Sequence, residues 1–238
     1  NRRLAKRVTA VLLSLPGAER HFSASVCTRV TGNPLRLPII QAAAACEYDP
    51  AGGILILGGS TGAVGLNTLV ASAVRDLAAL GRPITHQTGK IDFARVRAAY
   101  LDDGVTADVI EYIDDMPAAY RRSALVIARA GGTTLSELSL FGLPAVLVPY
   151  PHHKDRHQAE NAQLLAAAAS ARIIDETAGA AELADAAKRL LSDAPALVRM
   201  HNAARRLAHP EAAETVASII YSSICERGPQ AARRTKGS

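Results

Sequence analysis

Four segments of this chain, three of them with glycines, set polar groups in patterns that suit ligand binding. The first is Gly58-Gly59-Ser60-Thr61-Gly62-Ala63, which follows the apolar run Ile54-Leu55-Ile56-Leu57 and precedes a helical pattern. Glycines let a backbone come close to a ligand, and a helix start offers unpaired N–H groups with a partial positive charge. A diphosphate fits there, and so does a tight turn with no ligand. The glycines stand at 58, 59, 62 and 65, so this is not the dinucleotide pattern G-x-G-x-x-G. No Gly-Lys-Ser/Thr follows, so it is not a Walker A loop. The second is Gly131-Gly132-Thr133-Thr134-Leu135-Ser136-Glu137, again between a strand pattern and a helix pattern. Thr134 and Glu137 match a capping box, in which the hydroxyl and the carboxylate tie up the helix start. The other reading gives the backbone N–H groups of Gly132, Thr133 and Thr134 to phosphate. Glu137 then accepts from a ribose diol, two oxygens for two donors. Both hold together only if Glu137 turns away from the cap.

The third segment is Pro151-His152-His153-Lys154-Asp155-Arg156-His157-Gln158. Three close histidines invite a metal, but carboxylates are few and the spacing matches no familiar zinc pattern. No metal site and no cofactor is expected. Polar groups in such a loop suit sugar hydroxyls better. The fourth is Gly32-Asn33-Pro34-Leu35-Arg36, a turn that leaves Arg36 as a surface charge or a phosphate ligand. No Asp-x-Asp triplet occurs, so a diphosphate leaving group would be stabilised by helix termini and Arg36 rather than by a carboxylate-held cation.

These segments are positioned by alternating strand and helix patterns. Strands are expected at 54–57, 83–88, 108–112, 124–128, 145–148 and 172–174. Helices are expected over 66–80, 92–101, a short stretch opened by Asp115 and Pro117, 133–141, 157–169, 180–191 and 211–225. Such alternation with short loops predicts an α/β fold with a doubly wound, Rossmann-like parallel sheet. Ligands of such sheets bind outside the carboxyl ends of the strands, where the first three segments lie. Three regions are expected: 1–40 as a remnant of a preceding domain and a linker, 41–205 as the ligand-binding domain, and 206–238 as a helix with a basic tail. The Ala-rich, then Pro-Gly punctuated stretch 41–52 reads as linker. Residues 8–13 and 25–31 read as strands with no helix between them, the end of a domain that begins upstream.

Of the 238 residues, 49% are hydrophobic and only 4% aromatic, so Ala, Leu and Val must fill the core. The three cysteines, Cys27, Cys46 and Cys225, form no CxxC pair, which argues for a reducing compartment and against a disulfide framework. The net charge of +5 fits anionic partners such as phosphates or acidic lipid. No nucleic-acid partner is expected. No apolar run is long enough to span a bilayer.

Seven motifs in order bear a family resemblance: Gly32-Asn-Pro-Leu-Arg36, Gly58-Gly-Ser-Thr-Gly-Ala63, His86-Gln-Thr-Gly-Lys90, Tyr112-Ile-Asp-Asp-Met116, Gly131-Gly-Thr-Thr-Leu-Ser-Glu137, Gly142-Leu-Pro144 and His153-Lys-Asp-Arg-His-Gln158. Together the motifs and their spacing resemble the C-terminal half of the MurG family, the bacterial undecaprenyl-diphospho-muramoylpentapeptide β-N-acetylglucosaminyltransferases. The resemblance covers about residues 1–225. It implies the C-terminal domain of a GT-B fold and transfer, with inversion, of N-acetylglucosamine from UDP-N-acetylglucosamine to lipid I, giving lipid II for the cell wall. By the same resemblance Arg36 and Ser60 contact the diphosphate, and Ile113 binds uracil through its backbone, with Met116 lining the base pocket. Gly132, Thr133 and Thr134 supply N–H groups, with Leu135 and Ser136 in the same binding motif. Glu137 holds the ribose, Gln158 holds sugar hydroxyls, and residues 153–156 shape that pocket. The family's N-terminal half holds the acceptor, the base and a membrane-facing patch, so no catalytic residue is assigned here. The implied location is peripheral, on the cytoplasmic face of the membrane. Two other readings remain open: a GT-B transferase with another acceptor such as diacylglycerol, and a non-catalytic UDP-sugar-binding module.

Overall fold

The computed structural model describes residues 2–59, 62–151 and 157–231, the side chains at 2, 3 and 226–231 excepted. The chain divides into two compact units, residues 1–36 with 209–238, and residues 37–208. The first unit holds a short helix α1 (Arg2–Ala5), two strands β1 (Val11–Leu13) and β2 (Thr28–Val30), and the long helix α10 (Ala212–Ala231). The two strands pair in parallel, with a 3-10 turn at Ala18–His21 between them. A Cβ on Gly32 would collide with the His209 side chain, so the two ends of the chain meet closely in this unit. Stretches expected as separate, at the start and the end of the sequence, therefore form one body.

The second unit is built on six parallel strands in the order β5-β4-β3-β6-β7-β8. They are β3 (Gly53–Leu57), β4 (Ile84–Gln87), β5 (Asp108–Ile110), β6 (Ser123–Ala128), β7 (Ala145–Leu147) and β8 (Ala171–Ile173). The central pair β3 and β6 is buried along its whole length, because helices cover both faces. That is why these strands read as continuous apolar runs rather than alternating ones.

The connecting helices are α3 (Val64–Ala78), α4 (Phe93–Asp102), α5 (Met116–Arg121), α6 (Gly132–Phe141) and α7 (His157–Ala167), preceded by α2 (Leu37–Ala44) and followed by α8 (Ala180–Leu191) and α9 (Ala194–Arg205). From β3 the chain winds outward to β4 and β5, then returns to β6 and winds the other way. Right-handed crossovers therefore put α3 and α6 on opposite faces. Accordingly α3 packs on α4 and α8, whereas α6 packs on α2, α7 and α9. In doubly wound sheets the point of this reversal, outside the carboxyl ends of the strands, is where ligands bind.

Two elements differ from expectation. The stretch 41–52 is not simply linker, since its first residues lie in α2, which buries Ile39 and Ala43 and packs on α5 and α6. Pro38 sits in the first turn of α2, where a missing N–H costs nothing. The helix α9 was not expected as such. Asp193 caps it by accepting from Ala196 N, and its Tyr48-stacked His201 bonds the Gly142 carbonyl at 2.7 Å.

Candidate functional site

The glycine segments after β3 and β6 both follow parallel, neighbouring strands, so they share one rim of the sheet. Ser60, Thr61 and residues 152–156 lie outside the described residues. The diphosphate contact expected of Ser60 and the pocket-shaping role of residues 153–156 fall there.

The α6 start is an open one. Gly131 is its N-cap in an extended conformation, and as a glycine it makes no side-chain cap bond of its own. The first intrahelical bond runs from Leu135 N to Gly131 O at 3.0 Å, so the amides of Gly132, Thr133 and Thr134 precede it and point along the axis. The capping-box reading is overturned here. Thr134 lies inside the helix rather than at its cap, and Glu137 lies on the second turn. The Glu137 carboxylate is engaged elsewhere, since the Tyr120 hydroxyl donates to its Oε2 at 2.7 Å. Burial and the neighbouring Glu137 charge push the Tyr120 phenol well above its ordinary pKa, so it stays a neutral donor.

The Leu135 side chain is fully buried and its N–H closes the helix turn. Ser136 Oγ donates back to Gly132 O at 2.9 Å, so its proton serves the helix. Gln158, at the start of α7, accepts from Tyr150 N at 3.0 Å through Oε1. That fixes its amide orientation and leaves the NH2 end as the donor. Ile113 is buried in the connection from β5 to α5, and Met116 opens α5, whose N-cap Asp115 accepts from Ala118 N. Met116 and Tyr120 are four residues apart and share a helix face, about 6 Å along the axis. Arg36 is exposed and belongs to the first unit.

Several supporting residues lie in or beside motifs to which sequence reading had given no such role. Gly58 N bonds Gln87 O at 2.8 Å, Thr88 N bonds Ile110 O at 2.9 Å and Gly89 N bonds Glu111 O at 3.1 Å, which laces the ends of β3, β4 and β5 together. A Cβ on Gly58 would stand 2.7 Å from Asn67 Oδ1, and one on Gly89 2.6 Å from Gly62 Cα, so both positions require glycine for close approach. Beneath them lies a buried polar chain. Asn67 Nδ2 donates to Thr88 O at 2.9 Å and to Asp92 Oδ2 at 2.8 Å. Its Oδ1 must then accept from His86 Nε2 at 3.2 Å, so His86 is protonated on Nε2 and its Nδ1 accepts from the Tyr100 hydroxyl at 2.8 Å. Burial pushes the His86 pKa down to about 3. Hydrogen bonds from Arg95, at 2.6 and 2.7 Å, hold the Asp92 carboxyl below its usual range.

At the end of β6, Arg129 reaches across the rim. It donates to Val148 O at 3.0 Å, lies over the Tyr150 ring at 5.5 Å and pairs with Glu176. The Glu176 carboxylate rests against Gly65 in the first turn of α3. A negative charge therefore already sits at the α3 start, and the Arg129 charge is already matched. Asn161 Nδ2 donates to Ala130 O at 3.1 Å and so steadies the chain where it enters Gly131. Among the described residues no group of three or more His, Cys, Asp and Glu side chains converges as a metal site would.

The rim thus offers an uncapped helix start and, on the second turn of the same helix, an oriented carboxylate. That pairing suits a nucleotide whose phosphates meet amides while its ribose meets a carboxylate. Comparison with known proteins gives the family. Residues 53–216 match the model of the glycosyltransferase family 28 C-terminal domain. The UDP-N-acetylglucosamine--N-acetylmuramyl-(pentapeptide) pyrophosphoryl-undecaprenol N-acetylglucosamine transferase of Geobacter sulfurreducens is 40% identical over 230 residues, which is 94% of this chain and 63% of that protein. The enzyme of the same name from Cellvibrio japonicus is 41% identical over 226 residues, 92% of this chain and 62% of that protein. The crystal structure of Acinetobacter baumannii MurG superposes with a TM-score of 0.72 at 30% identity, over 92% of this chain and 62% of that one. The chain thus spans somewhat over three fifths of the length of these relatives. On the family match and the GT-B-like sheet together, the chain belongs to glycosyltransferase family 28, whose C-terminal domain it carries.

Proposed function

We propose that this chain supplies the donor side of an inverting hexosyltransferase that moves N-acetylglucosamine from UDP-N-acetylglucosamine to lipid I, giving lipid II in peptidoglycan synthesis. The observation that carries the reading is the pairing on α6 of an uncapped start at Gly131 with the Tyr120-held carboxylate of Glu137. The named activity of the relatives supplies the sugar and the acceptor.

In this reading the Gly132, Thr133 and Thr134 amides meet the pyrophosphate, and Glu137 takes the ribose diol. Ile113 presents its backbone to uracil beside Met116, and Gln158 donates its NH2 to sugar hydroxyls. Ser60 adds a contact to the diphosphate. The reaction is a displacement at the anomeric carbon. A base takes the proton of the acceptor hydroxyl, the oxygen attacks opposite UDP, and the bond to UDP breaks with its electrons left on the diphosphate. Charge grows on that diphosphate in the transition state, and the dipole and amides of α6 stabilise it more there than in the ground state. The base and the acceptor site are assigned to the part of the relatives that this chain does not span. In this reading the protein works at the cytoplasmic face of the membrane, as a peripheral partner of an anionic surface. The net charge of +5 supports that placement. No helix among the described residues is long and apolar enough to cross a membrane.

The reading is tested by offering the isolated chain UDP-N-acetylglucosamine, with and without lipid I. The donor should bind, in preference to UDP-glucose and UDP-galactose, and no lipid II should form. Turnover by this chain alone, or equal binding of the three donors, contradicts it.

A further inference from the structure

We propose that Tyr120 is a positioning residue for nucleotide recognition: its buried hydroxyl holds the Glu137 carboxylate in the orientation that receives the ribose diol. The proposal rests on the assignment of Glu137 to the ribose. Glutamate has three rotatable side-chain bonds, and ordering such a chain on binding opposes affinity. The structure removes that cost beforehand. The Tyr120 ring is 1% exposed and lies against Phe141, with centroids 4.9 Å apart and planes tilted by 45°. A ring fixed in this way delivers its hydroxyl to one place only. Its phenol pKa is raised, so it donates and does not ionise beside the carboxylate.

The stoichiometry of the bond matters. A carboxylate offers about four lone-pair positions on two oxygens. Tyr120 takes one, on Oε2, at 2.7 Å. Oε1 and the remaining position on Oε2 stay available for two ribose hydroxyls. Tyr120 also lies in the short helix that Met116 begins, so the base-side segment and the ribose carboxylate are joined through one element.

The test uses the chain as it is, titrated with UDP and with 2′,3′-dideoxy-UDP. The wild type should bind UDP more tightly than the dideoxy nucleotide. Tyr120→Phe keeps the ring on Phe141 and removes only the hydroxyl. It should weaken UDP binding roughly fivefold, the worth of about one hydrogen bond, and leave dideoxy-UDP unchanged. In a Glu137→Ala background the same substitution should have no further effect on the preference, because the hydroxyl acts through that carboxylate. A melting midpoint taken with each variant reports folding separately. If Tyr120→Phe weakens both nucleotides equally, keeps the full ribose preference, or still acts without Glu137, the positioning role is wrong. If the wild type itself fails to distinguish the two nucleotides, the ribose assignment falls first and this proposal with it.

Discussion

A carboxylate on a helix is most often a solvated charge, and what separates Glu137 from that ordinary case is the group that touches it. The Tyr120 hydroxyl at 2.7 Å gives it one orientation, and no capping duty competes. Its neighbour Leu135 shows the opposite division of labour. It lies in the same Gly-Gly-Thr-Thr-Leu-Ser-Glu motif yet is fully buried, so its work is packing. Leu135→Ala should therefore destabilise the fold by about 2–5 kcal/mol in urea denaturation while leaving the ratio of UDP to dideoxy-UDP affinity unchanged. A change in that ratio with intact stability would restore Leu135 to the binding surface. The motif was readable in the sequence, but the roles within it were not. Which residue of a helix faces a ligand depends on where the helix starts, and Gly131 rather than Thr134 is the cap. Tyr120 was not legible at all, because its bond to Glu137 spans seventeen residues and exists only through tertiary packing.

Among the elements, the strands were the most legible, since β3 and β6 are buried on both faces and must be apolar throughout. The helix α2 was hidden by its composition, because an alanine-rich segment before a Pro-Gly turn reads equally well as linker. The loops at the carboxyl rim depend on one another. Asn67, in α3, holds the Thr88 carbonyl and the Asp92 carboxylate and accepts from His86, so it ties α3 to the loop after β4. Asn67→Leu is similar in size but leaves the buried Thr88 carbonyl and His86 Nε2–H without Asn67 as partner, and Asp92 with Arg95 alone. It should cost at least about 1–3 kcal/mol by denaturation. A neutral result would mean that water or local rearrangement satisfies those groups. The short helix α5 depends similarly on its cap. Asp115→Ala should cost about 1 kcal/mol of stability and should weaken UDP binding as well, since α5 carries both Met116 and Tyr120. Loss of stability with unaltered binding would show that the helix needs no cap to place them.

At the scale of the whole molecule, the buried network sets a pH dependence. The folded chain keeps His86 neutral down to about pH 3, whereas the unfolded chain takes up a proton near 6.5. Between those values the unfolded state binds the extra proton, so this group's contribution to stability falls as pH drops below 6.5. A His86→Gln chain should lose stability less steeply than the wild type, by about 1 kcal/mol per pH unit between pH 6 and 5. Identical slopes would mean that His86 is charged in the folded state. The doubly wound sheet itself was legible from strand-helix alternation. The division into two units was legible only in part, because the return of α10 to the first unit depends on contacts such as Gly32 with His209 that sequence order does not reveal.

All of this converges on the rim where α6 begins, and calorimetric titration of the chain with UDP-N-acetylglucosamine tests it most directly, wild type beside Glu137→Ala. The wild type should bind one equivalent, and loss of the ribose contact should reduce the binding free energy by about 1–3 kcal/mol. Absence of binding by the wild type, or equal affinity of the two proteins, would contradict the account.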